Sequence, residues 1–275
     1  MNICFLNLAN YGSTGNIVRH LADMAKNAGY TTMVAYPDSR KKKPKCDDDY
    51  IIESEGYQHL SGELSTFTGL DCCFAYFATI KFLRKLDEFK PDIIHLHNIH
   101  GWYINIILLF QYIKKHSIKV IWTLHDCWAF TGHCTHFQEN NCVKWSTGCR
   151  KCDLHMNYPK SYLDNSSWMY VIKKRCFIGV KNVSIVTPSE WLASKINQSF
   201  LRCYPCKVIN NGVDLSVFYP HETDFRVKYK LEKKKIVLGV ASQWGIKKGL
   251  DIFIDLANHL PDNFQIIMGS CSVRG

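Results

Sequence analysis

The sequence predicts an α/β fold built around a parallel β-sheet. Short runs of β-branched and apolar residues alternate along the chain with longer segments that carry apolar residues at helical spacing. That alternation is typical of βαβ units. Two of the runs, which begin at Asp92 and Val120, are unbroken rows of the kind found in fully buried strands. A hydrophobic content of 47% and a charged content of 21% are those of a globular chain.

The first predicted elements are a strand, a turn, a helix and a second strand. Residues 2–8 form the strand, and Gly12-Ser-Thr-Gly15 forms the turn. Residues 17–28 place their apolar side chains on one face, which predicts a helix, and Gly29 ends it at the position where glycine is favoured. Residues 31–36 then form the second strand.

The middle of the chain continues this alternation. Pro188 precedes the expected N-cap Ser189, and Pro91 closes an amphipathic helix. We expect a short strand at 51–52, a helix at 75–89, a strand at 93–96, a helix at 104–115, strands at 119–124 and 183–187, and a helix at 189–200.

A second domain is expected to begin after a crossing segment at residues 207–220. Beyond it we predict a strand at 235–241, a helix from Gly249 to Leu260 and a strand at 264–268. One βαβ unit cannot cover both faces of a parallel sheet, so this domain should continue past the given sequence. We therefore expect a first domain over residues 1–205 and a linker with an incomplete second domain over residues 206–275.

Polar clusters follow the two buried runs at the point where each strand should end. The first contains His97, Asn98 and His100, and the second contains His125 and Asp126. Ligands of open parallel sheets bind just beyond the carboxyl ends of the strands, so the two clusters predict one shared site. There His125 would donate a hydrogen bond to a ligand, and Asp126 would orient it. The alternative is that individual histidines are core or loop residues.

Two short segments have the chemistry of phosphate binding. Gly12 to Gly15 lies between a strand and a helix, and Lys247-Lys248-Gly249 precedes a second helix. Backbone amides at a helix N-terminus can bind phosphate, and adjacent lysines add charge. A tight turn and a solvated loop explain the same residues. The full G-x-G-x-x-G fingerprint is missing, which disfavours a nicotinamide oxidoreductase.

The 13 cysteines include one dense group. Cys134, Cys142, Cys149 and Cys152 lie in a polar, loop-like segment, and the last two have the spacing that lets two thiolates bind one cation. A structural zinc ion is one interpretation, and free or redox-active thiols are the other. Isolated cysteines such as Cys4 resemble small buried apolar residues.

The net charge of +10 is concentrated in four basic runs, Arg40–Lys45, Lys173–Arg175, Arg226–Lys235 and Lys247–Lys248. Such runs are usually solvated faces, but they would also attract a polyanion such as a nucleotide diphosphate or an anionic lipid. They are not interleaved with aromatic residues, so we expect no nucleic-acid partner. No transmembrane stretch or signal peptide is visible, which favours a cytoplasmic protein that can contact the inner face of the membrane.

Taken together, the ordered motifs resemble the retaining glycosyltransferases of family 4, and most closely the bacterial members that build polysaccharides. The resemblance rests on four segments and covers essentially the whole chain. They are His95-Leu-His97-Asn98-Ile-His100-Gly101-Trp-Tyr, Trp122-Thr-Leu-His125-Asp126-Cys-Trp-Ala-Phe-Thr-Gly-His-Cys134, Asn211-Gly-Val-Asp214 and Gly239-Val-Ala-Ser-Gln-Trp244 with Lys248-Gly249. The resemblance implies the GT-B architecture of two Rossmann-like domains. It also implies sugar transfer, with retention, from a nucleotide-diphosphate sugar to a surface or exopolysaccharide glycan or a lipid-linked oligosaccharide.

The resemblance also implies roles for individual residues. His125 and the adjacent Asp126 would lie at the catalytic centre, with His125 contacting the donor sugar. Gly12 and Gly15 would lie near the donor phosphates, and Lys248 would neutralise the diphosphate leaving group. The acceptor side would be formed by His97, Asn98 and His100.

Two departures from the family pattern affect the donor side. Ser242 stands where the family often has an arginine, six residues before the lysine. The family's paired glutamates would fall beyond Gly275, so we expect the chain to be C-terminally truncated and weakly active by itself. No catalytic cofactor is expected. The alternative function is a non-catalytic, metal-stapled α/β protein that binds an anionic partner.

Overall fold

The computed structural model describes residues 1–38, 46–241 and 244–270, without the side chains of Glu139 and Lys247. The chain divides into two compact units, Met1–Asn211 and Gly212–Gly275. Within the described ranges, no helix has the length and apolar character needed to cross a bilayer. The basic run at residues 40–45 lies outside the described residues.

The first unit contains a parallel sheet of seven strands in its described residues. The strand order is β3-β2-β1-β4-β5-β6-β7, so β1 and β4 lie side by side at the centre. The strands are β1 Asn2–Leu6, β2 Thr31–Tyr36, β3 Asp49–Ile51, β4 Ile93–Leu96, β5 Lys119–Thr123, β6 Val183–Thr187 and β7 Cys206–Val208. This confirms the predicted parallel α/β class.

The register of the central strands places their ends level with one another. Leu6 of β1 pairs with Leu96 of β4, and Leu96 pairs with Trp122 of β5. The residues that follow, Asn7, His97 and the segment after Thr123, therefore leave the sheet along the same edge.

Six helices of the first unit connect the strands and cover the sheet in the part of the chain described. They are α1 Gly12–Asn27, α2 Glu55–Thr68, α3 Tyr76–Phe89, α4 Ile106–His116, α5 Ser166–Phe177 and α6 Glu190–Gln198. Ser189 is the N-cap of α6, as predicted, because its hydroxyl accepts a hydrogen bond from the Leu192 amide at 3.3 Å.

The sequence analysis missed α2 and α5. The buried face of α2 carries Ser61, Gly62 and Ser65, and α5 buries Lys173. Small or charged residues at core positions remove the apolar stripe on which helix prediction depends.

Two predicted boundaries of the first unit are wrong. The Gly12–Gly15 segment is the first turn of α1 instead of a turn that precedes it. Gly15 is required there because a Cβ atom would lie 2.7 Å from the Asn10 carbonyl carbon. β7 pairs in parallel with β6, so residues 206–208, which the sequence analysis placed in the linker, belong to the sheet of the first unit.

The second unit contains a parallel pair of strands. These are β8 Lys235–Ala241 and β9 Phe264–Ser270, which pair along their whole length, and the helices are the short α7 Phe225–Lys228 and α8 Leu250–His259. The indole of Trp244 packs edge-on against Phe253 of α8. The predicted strand–helix–strand unit is confirmed.

An aromatic cluster fills the space between the first sheet and its helices. Phe110 of α4 is 1% exposed and packs against Trp122 of β5 and Phe177 of α5, with ring centroids 5.6 and 4.6 Å apart. Trp122 and Phe177 meet edge to face at 4.8 Å. Close-packed aromatic side chains of this kind supply a large share of the free energy of folding.

We expect Phe110→Ala to lower the free energy of unfolding by about 3–5 kcal/mol, because it removes buried area and leaves a cavity. Phe77→Ala is the matched control, since Phe77 lies on α3 and is 74% exposed. Denaturant titration of both variants measures the difference. Equal unfolding midpoints for the two variants would contradict this description of the core.

Candidate functional site

Three histidines meet at the carboxyl edge of the sheet: His95 in β4, His97 directly after β4, and His125 just after β5. The Nδ1 atom of His97 lies 3.0 Å from Nε2 of His125, and the two rings are nearly parallel. His95 lies two residues before His97, on the same face of the strand, and its ring packs against that of His97. It also hydrogen-bonds the Thr123 hydroxyl at 2.8 Å. The predicted meeting of the two polar clusters is therefore observed in the structure.

These three imidazoles are neutral near pH 7. Burial disfavours the charged ring, and it lowers the pKa of His95 to about 4. Burial, with the neighbouring His95 and His125, holds the pKa of His97 well below its usual value. Burial also lowers the pKa of His125, against the opposing charge of Asp126. In such a pair one ring donates the hydrogen bond and the other accepts it.

Asp126 pairs with His100 and positions that ring. Its Oδ2 atom lies 2.9 Å from Nε2 of His100, and its Oδ1 accepts a hydrogen bond from the Trp128 amide, also at 2.9 Å. Burial by itself would lower the pKa of His100, but the carboxylate raises it. The expectation that Asp126 orients His125 is corrected: its hydrogen bonds hold His100 and the start of the following loop.

A second layer of buried polar groups supports this pair. The indole Nε1 of Trp128 donates to Asp71 Oδ2 at 2.8 Å. The ammonium of Lys173 donates to the carbonyls of Trp128 and Thr131 at 2.8 and 3.1 Å, and it lies 3.6 Å from the centroid of the Trp128 ring. Burial lowers the pKa of Lys173 to about 8.

Lys173 corrects the interpretation of the run Lys173–Arg175 as a solvated or polyanion-binding face. Its side chain is fully buried, and it faces the loop instead of solvent. Sequence reasoning also missed Asp71, which no local motif marks. A lysine at a core position of a helix between apolar residues is the signal that could have revealed Lys173.

Asn7 connects the site to α1. Its Oδ1 accepts a hydrogen bond from the Asn98 amide at 3.2 Å, and its Nδ2 donates to the Ala9 carbonyl at 2.8 Å. The first turn of α1, with Gly12 and Gly15, follows directly, and its N-cap Tyr11 makes no side-chain capping bond. The free amides of that turn therefore point out of the helix near the same edge of the sheet.

Access to the site differs among its residues. His97 and His100 are 2% and 5% exposed, whereas His125, Asp126 and Asn98 are partly exposed. The cavity among them is about 10 Å³, which is no more than one water molecule requires. In this arrangement His97 holds His125 in place and His100 holds Asp126. A ligand would meet the partly exposed His125, Asp126 and Asn98.

The predicted donor residues of the second unit are described only in part. Lys248 is exposed and ends a single helical turn, Ile246–Lys248, directly before α8. Gly249, at φ 72°, makes the left-handed connection into that helix. Ser242 lies outside the described residues.

The four cysteines of the dense group line one cavity of about 250 Å³ in the first unit. None of the cysteines in the described ranges forms a disulfide. Among the described residues, no three of the four sulfur atoms lie within 4.8 Å of one another. The structure thus brings Cys134, Cys142, Cys149 and Cys152 to one place but leaves the thiols apart.

Comparisons with known proteins agree with this architecture. The sequence profile of Glycosyltransferase Family 4 matches residues 14–217. WcaC of Escherichia coli K12, named as a colanic acid biosynthesis glycosyl transferase, is 30% identical over 133 residues. That match covers 46% of this chain and 32% of WcaC, so the chain spans about a third of the relative's length.

Two solved structures resemble the fold. Sucrose-phosphate synthase from Thermosynechococcus elongatus has a TM-score of 0.57 at 12% identity, over 97% of this chain and 61% of that one. Anabaena HepE, solved with UDP and glucose, has a TM-score of 0.53 at 16% identity, over 98% and 60%. The likeness confirms the predicted GT-B class of α/β fold.

Asp126→Asn removes the negative charge that raises the pKa of His100, so we expect this pKa to fall. In the native protein this raised pKa contributes stability that is fully present below about pH 6.5 and is lost as the pH rises through the folded value. The lowered pKa of Asp126 contributes stability above about pH 3.9. The penalty of the variant should therefore be largest between about pH 4 and 6.5.

Free energies of unfolding of both proteins across this pH range measure the effect, and NMR titration of the His100 ring reports its pKa. A penalty that is the same at pH 5 and pH 8 would contradict the ion pair.

Proposed function

The chain belongs to glycosyltransferase family 4, and from this premise we propose that the protein transfers a sugar, with retention, from a nucleotide-diphosphate sugar to a glycan acceptor. The observation that carries the proposal is the pairing of His97 with His125 at the carboxyl edge of the sheet. It places a neutral, oriented imidazole at the edge where α/β sheets bind their ligands.

The comparisons supply the substrate classes. HepE was solved with UDP and glucose, which supports a nucleotide-sugar donor for a protein of this fold. WcaC is named for colanic acid, a polysaccharide, which supports a surface or exopolysaccharide glycan as acceptor. A lipid-linked acceptor, contact with an anionic membrane and a cytoplasmic location stay predictions from the sequence.

The hydrogen bond between the two histidines fixes which nitrogen of His125 carries its proton. Nε2 of His97 is buried and has no hydrogen-bond partner among the described residues. A buried N–H without a partner costs more than a lone pair without one, so the proton of His97 belongs on Nδ1, which donates to Nε2 of His125. The proton of His125 then lies on Nδ1, where it donates to a hydroxyl group of the donor sugar.

The negative charge that develops on the leaving diphosphate needs fixed positive partners. Within the first unit we assign this role to the amides of the first turn of α1, at Gly12 to Gly15. Preorganised donors of this kind stabilise charge in the transition state without reorganisation. The donor-side roles of Lys248 and Ser242 stay predictions from the sequence. Asn98, partly exposed and oriented by Asn7, is our candidate for acceptor contact, with His97 and His100 as positioning residues.

His125→Ala should lower kcat by about 10²–10³-fold, because it removes a donor placed for the transition state. The fold should be retained, since His125 is only partly buried. The effect is measured from initial rates with the nucleotide sugar that the unmodified protein is found to transfer. His20→Ala, on the exposed face of α1, is the control and should keep native turnover. Native kcat in the His125 variant would remove this residue from the mechanism.

A further inference from the structure

The segment between Phe130 and α5 is the longest stretch of the first unit with little regular structure. Within residues 131–165 the described helices are two single turns, Gln138–Asn140 and Lys144–Ser146. Loops longer than about 12–15 residues without secondary structure are uncommon in compact domains unless something holds them. We call residues 131–165 the cysteine loop.

The cysteine loop closes around its own cavity. The four thiols come from separate points along it and line the same space of about 250 Å³, together with His133 and Trp145. Trp145 is buried and stacks on Phe137 at 5.1 Å. Because all four thiols are free and face one cavity, they can act on a common ligand.

A backbone amide in the cysteine loop already points at one of the sulfur atoms. The Gly132 amide donates to Sγ of Cys149 at 3.1 Å. A side chain at Gly132 could not be accommodated, since its Cβ would lie 2.6 Å from the Cys149 Cβ. An N–H donor to sulfur is the kind of outer contact that orients a metal-binding cysteine.

Charge balance provides an independent argument. The ammonium of Lys173 is fully buried, and in the described residues its hydrogen-bond partners are carbonyl oxygens without an ion-paired carboxylate. A buried cation is costly unless negative charge lies near it. Asp71 provides the largest negative-charge interaction with Lys173, and Cys149 and Cys134 also lie within electrostatic range. Four thiolates around a divalent cation carry a net charge of about −2, which would add to the compensation that Asp71 provides.

We propose that Cys134, Cys142, Cys149 and Cys152 bind one Zn²⁺ ion that fixes the cysteine loop. Zn²⁺ replaces the four thiol protons, which pass to solvent, and no electron is transferred. Four thiolates favour tetrahedral zinc, with Zn–S bonds of about 2.3 Å, and in such a site the sulfurs would lie about 3.8 Å from one another. No three of the sulfurs are within 4.8 Å in the described residues, so binding draws the loop inward.

Zinc binding has a consequence for the histidine site. The Thr131 carbonyl at the start of the cysteine loop holds Lys173, which in turn lies over Trp128 beside Asp126. A metal that orders the cysteine loop therefore restrains the wall behind the His100–Asp126 pair. Metal content is nevertheless a separate observable, which does not depend on whether sugar transfer occurs.

Elemental analysis of protein purified without added metal should find about one zinc per chain, and Cys149→Ser should reduce that content at least tenfold. Cys203→Ser is the matched control, because Cys203 is exposed and lies outside the cysteine loop. It should retain the metal. His133→Ala should retain it as well, although the Nε2 atom of His133 is buried without a partner and lines the same cavity.

If Cys149→Ser fails to fold, cobalt substitution of the unmodified chain still tests the site, since Co²⁺ in four thiolates shows intense sulfur-to-metal charge-transfer absorption. Purified protein without zinc that also takes up no Co²⁺ would overturn the proposal. Iron and labile sulfide in place of zinc would overturn the choice of metal. Loss of metal in His133→Ala as complete as in Cys149→Ser would overturn the four-thiolate ligand set.

Discussion

The need of buried polar groups for partners organises the functional edge of this protein. β1, β4 and β5 end in register, so Asn7, His97 and His125 leave the sheet side by side. Each of these side chains would be costly to bury alone, and each finds a partner on the neighbouring strand or its continuation. These hydrogen bonds link the three segments, while Nε2 of His97 is buried without a partner among the described residues. An imidazole held in this way keeps one orientation and one protonation state.

The buried charged groups behind this edge of the sheet also have partners. The Asp126 carboxylate lies between His100 and the Trp128 amide, and the Trp128 indole binds Asp71. Lys173 then adds a buried positive charge behind the indole. His100 and the Trp128 amide thus lower the pKa of Asp126 against the effect of its burial. The cysteine loop contacts this layer, because the Thr131 carbonyl at its start accepts a hydrogen bond from Lys173.

The sequence was sufficient to predict much of the fold because strand runs such as Ile93–Leu96 carry a strong local signal. It was also sufficient to predict that His97 and His125 meet, since parallel strands share an edge. It could not predict which histidine Asp126 would hold, because that depends on the path of the loop after Thr123. Lys173 was hidden in a basic run, and Asp71 reaches Trp128 across 57 residues of sequence. Long-range contacts of this kind have no local signature.

The central claim is that His97 donates to His125 and so leaves the Nδ1–H of His125 for a ligand. Long-range ¹H–¹⁵N NMR spectra of the histidine rings at pH 7 test it most directly, because neutral tautomers and the imidazolium give different nitrogen shifts and coupling patterns. We expect both His97 and His125 to be neutral and protonated on Nδ1. Protonation of His125 on Nε2, or an imidazolium at either position, would contradict the proposed arrangement of the site.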